Sequence, residues 1–94
     1  MRIKWLEKAL SDLAETTEYI ALEDVEAAKK LATCIRERVT SLVLQPGQGR
    51  PGRVTGTREL VIGKYPFVIP YRIKGEEIQI LRVFHTSKHL PTGW

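Results

Sequence analysis

The sequence predicts an α+β fold, with a helical hairpin on one face of a small, mainly antiparallel sheet, in the order β-α-α-β-β-β. Three observations predict it. Apolar residues recur twice at helical spacing between positions 6 and 42. Period-two patterns rich in β-branched and aromatic residues take over after position 58. Residues 45–56, with Pro46, Gly47, Gly49, Pro51, Gly52 and Gly56, separate the two regimes. Helices followed by strands, with no repeat and no linker, point to one α+β domain over 1–94, with 85–94 as a C-terminal tail.

Each element has its own signal. Residues 3–5 are β-compatible, with Ile3 and Trp5 on one side and Arg2 and Lys4 on the other. From Leu6 the period lengthens. Leu6, Leu10, Leu13, Thr17 and Ile20 share one helical face, Glu7, Asp12, Glu15 and Glu18 the other, and the helix should stop near Leu22. Asp24 is placed to cap the next helix, and Glu26 complements its dipole. Ala28, Leu31, Ile35, Val39 and Leu42 form the second stripe, which Pro46-Gly47 is expected to end. Two amphipathic helices so closely joined form an antiparallel hairpin whose apolar faces need a sheet.

Strands are expected at 59–62, 67–73 and 78–84, with a turn at 63–66 and a hairpin turn at Lys74-Gly75-Glu76. Pro70 lacks an N–H and implies a bulge or an unpaired position. Strand parity groups Arg72 with Val68 and Pro70, and Arg82 with Ile78, Ile80 and Phe84. Neighbouring strands in register would set Arg82 beside Phe67 and Ile69.

The 94 residues carry a net charge of +4, unevenly divided. Residues 1–49 hold seven Lys/Arg against eight Asp/Glu; residues 50–94 hold eight against three. A positive field confined to one half favours an anionic partner, and it also serves as a solvating surface. The lone cysteine, Cys34, lies in the second apolar stripe and reads as core filler, which suits a reducing cytoplasm. No apolar run near the N-terminus reaches signal-peptide or membrane-span length, so a cytoplasmic location with no membrane partner is expected.

Recognisable catalytic patterns are few. The glycines of 47–56 follow a helix and not a strand, so they punctuate a loop and do not cradle a phosphate. Neither a cofactor nor a metal site is expected: one Cys is present, and His85 and His89 lie near Pro91. What remains is a basic constellation of Arg53, Arg58, Lys64, Arg72, Arg82 and Lys88, with His85 after the last strand. Arginine offers phosphate a planar fork of donors, and histidine is able to shuttle a proton near neutrality. These are the parts of a metal-independent ribonuclease. The same arginines also serve to cover apolar surface with their stems.

Five phrases following the helical hairpin carry a resemblance. They are Gly49-Arg50-Pro51-Gly52-Arg53, Gly56-Thr57-Arg58-Glu59-Leu60, Tyr71-Arg72-Ile73, Ile80-Leu81-Arg82-Val83-Phe84-His85 and Leu90-Pro91. In this order the chain resembles the RelE/ParE toxins of type II toxin–antitoxin systems. The resemblance implies a growth-inhibiting toxin neutralised by a cognate antitoxin. The antitoxin's C-terminal segment wraps the toxin, and its N-terminal domain binds operator DNA, which the toxin meets only through it. RelE-like members cut mRNA on the ribosome; here Arg72, Arg82 and His85 would be catalytic. ParE-like members poison DNA gyrase without a nuclease centre. In that case hairpin-surface residues such as Glu15, Tyr19 and Lys29, together with the C-terminal tail, would matter. In either case Arg53, Arg58, Lys64 and Lys88 would contact nucleic acid or target, with Arg58 joining Arg72 and Arg82 in holding phosphate if the chain is a nuclease. The chain lacks a dense lysine cluster in the loop and any tyrosine after Tyr71, and a Leu-Pro follows His85. These features and the long hairpin favour the ParE-like side.

Overall fold

Asp24 stands where the helical pattern breaks, and its carboxylate accepts a hydrogen bond from the Ala27 amide at 3.0 Å. That cap separates α1 (Glu7–Ala21) from α2 (Val25–Thr40) in the computed structural model, which describes residues 1–86. Lys88, His89 and the Leu90-Pro91 ending lie outside the described residues. Helix α2 buries Ala28, Leu31, Ile35 and Val39, as their spacing predicts. The expected α1 stripe is corrected: the inward line runs through Ala9, Leu13 and Ile20, so Ala9 and Leu13 are buried, Leu6, Thr17 and Ile20 are half-buried, and Leu10 turns outward and is 51% exposed. Helix α2 stops before Pro46: Ser41–Val43 tighten into a 3-10 turn that buries Leu42, and Ser41 Oγ donates to the Arg38 carbonyl at 2.6 Å. Cys34 is half-buried against the core.

The sheet contains β1 (Arg2–Trp5), β2 (Arg50–Pro51), β3 (Arg58–Ile62), β4 (Phe67–Lys74), β5 (Glu77–Ile80) and β6 (Phe84–His85). Its order is β1-β5-β4-β3-β2, with β6 also pairing β4. Among the described residues only the β1–β5 pair is parallel. The α+β architecture is the one expected, with one more short strand inside the 45–56 loop and the last strand divided in two. In the β4–β5 turn Gly75 has φ +62°, the positive value a two-residue hairpin places at its first central residue.

Register assigns the faces. Trp5, Ile80 and Tyr71 align across three strands, as do Leu60 with Ile69 and Ile62 with Phe67. These side chains meet Leu13, Leu31, Ile35, Val39 and Leu42 in one hydrophobic core, so the hairpin covers this face. The opposite face carries Arg2, Lys4, Gln79, Glu77, Arg72, Lys74 and Glu59.

The expected strand 78–84 is interrupted at Pro70. Tyr71 pairs with Ile80, and Val68 pairs with Phe84, so Ile69 and Pro70 face three residues, 81–83. This is a bulge of one residue, as the missing proline N–H implies. Leu81 N–H still donates to the Pro70 carbonyl at 2.9 Å, but Val83 N–H turns away to Asp12 Oδ2 at 3.0 Å. The parity expected for Arg82 is therefore wrong. Arg82 has no strand partner and reaches Asp12 on α1, and the extra residue reverses the faces beyond it. Phe84 moves to the open face and His85, in β6 and not in a tail, turns to the helix side.

Candidate functional site

The bulge brings His85 against Phe67, ring edge to ring face with centroids 5.0 Å apart. Both line a groove of about 530 Å³ between the hairpin and the β3–β4 turn, together with Glu15, Thr16, Tyr19, Ile20, Ala27, Leu31, Tyr65 and Pro66. Thr86 N–H fixes the end of β6 by donating to the Pro66 carbonyl at 2.8 Å. Tyr19, in the groove lining, is 77% exposed, and Leu22 and Val25, at the turn between the helices, are 83% and 54% exposed. Apolar grooves are a common docking place for amphipathic peptide segments in proteins generally. Glu15 and Tyr19, expected on the hairpin surface, are thus at the groove, whereas Lys29 pairs with Glu26 along α2 at 3.7 Å.

The basic residues do not converge. Arg82 Nε and Nη2 grip the Asp12 carboxylate at 2.7 and 3.1 Å, and its guanidinium lies 4.7 Å over the Phe84 ring. The Asp12 bond, outweighing partial burial, holds the Arg82 pKa above its ordinary value. Arg58, on the helix side of β3, donates from Nη1 to the Gly49 carbonyl at 2.8 Å and the Gly47 carbonyl at 3.2 Å. Lys64 lies over Tyr65, 5.8 Å from its ring centre. Arg72, on the open face, donates from Nε to Gln79 Oε1 at 2.6 Å. Arg72 and His85 thus lie on opposite sides of the sheet.

Glu59 organises the loop before β3. Its carboxylate, 3% exposed, accepts from Arg50 Nε and Nη2 at 3.1 and 3.0 Å, and from Arg53 N and Nε at 3.1 and 3.2 Å. Burial pushes the carboxyl pKa up, but the Arg53 amide and the two guanidinium groups outweigh it and hold it below the ordinary 4.5. Tyr71 anchors the other end of this loop. Its hydroxyl donates to the Pro46 carbonyl at 2.7 Å and accepts from the Gly49 amide at 2.9 Å. Burial raises the Tyr71 pKa against the opposing pull of the Gly49 amide and the Arg58 charge. Gly49 has no room for a side chain: a Cβ there would lie 2.6 Å from Tyr71 Cε1.

Four cations on the open face were outside the expected constellation: Arg2, Lys4, Arg50 and Lys74. Alternation in residues 2–5 was the available signal for the first two. Among the described residues, no group of three or more His, Cys, Asp or Glu is placed to hold a metal, and no helix is long and apolar enough to cross a membrane.

Fold and site together define a small α+β domain whose prominent features are surfaces: a groove beside a helical hairpin, and a basic sheet face behind it. The chain belongs to the ParE toxins of type II toxin–antitoxin systems, parDE, whose family model matches residues 3–90. It is 41% identical over 90 residues to the candidate toxin Y4kP of Sinorhizobium fredii (strain NBRC 101917 / NGR234), covering 96% of this chain and 93% of that one. It is also similar to a solved chain of the chromosomal ParDE system from P. aeruginosa, with a TM-score of 0.81 and 42% identity over 90% of this chain and 95% of that one.

Proposed function

We propose that this toxin inhibits bacterial growth by acting on DNA gyrase in the cytoplasm, and that a cognate antitoxin neutralises it by filling the groove between hairpin and sheet. The observation that carries the reading is the ParE family match over residues 3–90. The scattering of the basic residues supports gyrase over mRNA cleavage. A nuclease needs phosphate-binding charge and a proton donor around one scissile bond. Here Arg82 is committed to Asp12, Arg58 to loop carbonyls, and Arg72 to the face opposite His85. In this reading His85 shapes the groove, while Arg53, Arg58, Lys64 and Lys88 contribute to the surface that meets target or antitoxin.

The test is a supercoiling assay with purified gyrase, toxin and relaxed plasmid. Toxin in molar excess is expected to block supercoiling and accumulate cleaved DNA, and antitoxin to reverse both. Undiminished supercoiling, with translated transcripts cut in cells expressing the toxin, would overturn the reading.

A further inference from the structure

The open sheet face has a charge pattern that the gyrase reading does not use. Arg2 lies opposite Glu77, which lies opposite Lys74. One step along, Lys4 lies opposite Gln79, which lies opposite Arg72. Strand geometry spaces the cations by roughly 7 Å along each strand and roughly 10 Å across β5. Four cations thus share the β1–β5–β4 part of this face with one carboxylate, Glu77, which pairs with Arg2 at 3.9 Å. The Glu77 carboxyl is held below its ordinary pKa by the Gln79 amide first, against slight desolvation, and then by Lys4, Arg2 and Lys74.

The grid is exposed but partly pre-arranged. Arg2 has 80% of its side chain exposed, and Lys4, Arg72 and Lys74 are exposed as well. Gln79 is nearly buried and acts as a bracket, donating to Glu77 Oε1 at 2.8 Å and accepting from Arg72 Nε at 2.6 Å. Gln79 holds Arg72 only at Nε, and a guanidinium offers a planar fork of donors, the geometry that suits a phosphate.

The hairpin behind the sheet is net acidic: residues 7–40 contain eight Asp/Glu against five Lys/Arg, with the acidic excess concentrated in residues 9–28. A polyanion is therefore steered to the open face and repelled from the hairpin. The two cation rows carry no aromatic side chain on which unpaired bases would stack, so a duplex suits this face better than a single strand.

We propose that the open face of β1, β5 and β4 binds the phosphate backbone of duplex DNA through Arg2, Lys4, Arg72 and Lys74, without reading base sequence. This contact adds to any made through an antitoxin and does not depend on gyrase being the target.

The experiment is fluorescence anisotropy of the full chain with a labelled 20-base-pair duplex, across a salt series and without gyrase. Four phosphate contacts give a log–log salt slope near −3.6, about a 150-fold loss between 50 and 200 mM salt. Lys4→Glu/Arg72→Glu is expected to weaken binding at least about tenfold and to halve the slope to about −1.8. Lys29→Glu/Lys30→Glu makes the same formal charge change on α2 and is expected to alter binding less than about threefold. Lys4→Gln/Arg72→Gln, with an unchanged melting temperature, separates lost contacts from lost folding. The proposal is overturned if no duplex binding occurs at 50 mM salt, or if the α2 variant loses as much as the sheet variant. Tighter binding of single-stranded RNA, or of an acidic peptide of equal charge, overturns it equally.

Discussion

Asp12 and Arg82, seventy positions apart, form a two-pronged ion pair at 2.7 and 3.1 Å, and the same carboxylate accepts the Val83 amide at 3.0 Å. One side chain on α1 therefore completes the backbone hydrogen bonding of a bulge in the sheet. Both partners are only partly exposed, at 18% and 25%, so solvent screens the pair less than it would a surface pair.

Asp12→Ala removes three hydrogen bonds and leaves the Val83 N–H without its partner. A loss of about 2–3 kcal/mol is expected, read from urea unfolding. Arg82→Lys should recover only part of the stability lost in Arg82→Ala, because an ammonium cannot reproduce the paired geometry over the Phe84 ring. Full recovery by lysine would show that charge alone matters here.

Acid should loosen the 50–59 region. The Glu59 pKa is lower in the folded chain than its ordinary 4.5, so the folded state favours the ionised carboxylate. Its contribution is fully present above the unfolded pKa and is lost as pH falls through the folded one. The melting temperature should therefore drop as pH falls below about 4.5. Glu59→Gln should melt lower than wild type at pH 7, and the gap should close toward strongly acid pH. A gap independent of pH would separate the effect from this carboxylate's titration.

The Tyr71 anchor can be tested from both ends. Tyr71→Phe deletes the bonds to Pro46 and Gly49 inside a buried site, at a cost of about 1–3 kcal/mol. Gly49→Ala forces a Cβ against the Tyr71 ring and the Glu59 carbonyl, and should cost about as much through displacement of the loop. If one site is involved, the double variant will lose less than the two single losses added together in a denaturation cycle.

At the groove, Tyr19→Ser should weaken antitoxin binding by about 1–3 kcal/mol in calorimetry, with little effect on the melting temperature. Tyr19 is 77% exposed, so folding does not depend on it. Unchanged affinity would move the antitoxin contact away from the hairpin.

Much of the fold was legible in the sequence, for reasons visible at single positions. The stripes Leu13–Ile20 and Leu31–Val39 are set by helical periodicity, and the Asp24 cap by a short acceptor at a break in that period. The two-residue strand at Arg50–Pro51 was not legible, because a pairing so short has no period to detect. The site was less legible still. Arg58, Arg72, Arg82 and His85 looked like one basic cluster along the chain, yet each is directed to a different partner or face.

The sequence alone determined the helical hairpin, the strand-rich second half, the uneven charge and the presence of a break at Pro70, since each depends on local period, composition or a missing N–H. Tertiary structure decided what the break does. It inserts one residue opposite Ile69 and Pro70, turns His85 toward the groove and commits Arg82 to Asp12. It also set β1 beside β5, placing Arg2 and Lys4 on the face shared with Arg72 and Lys74. The physical reason is that strand neighbours and bulge partners are chosen by packing between segments far apart in the chain, whereas residue patterns record only what happens within each segment.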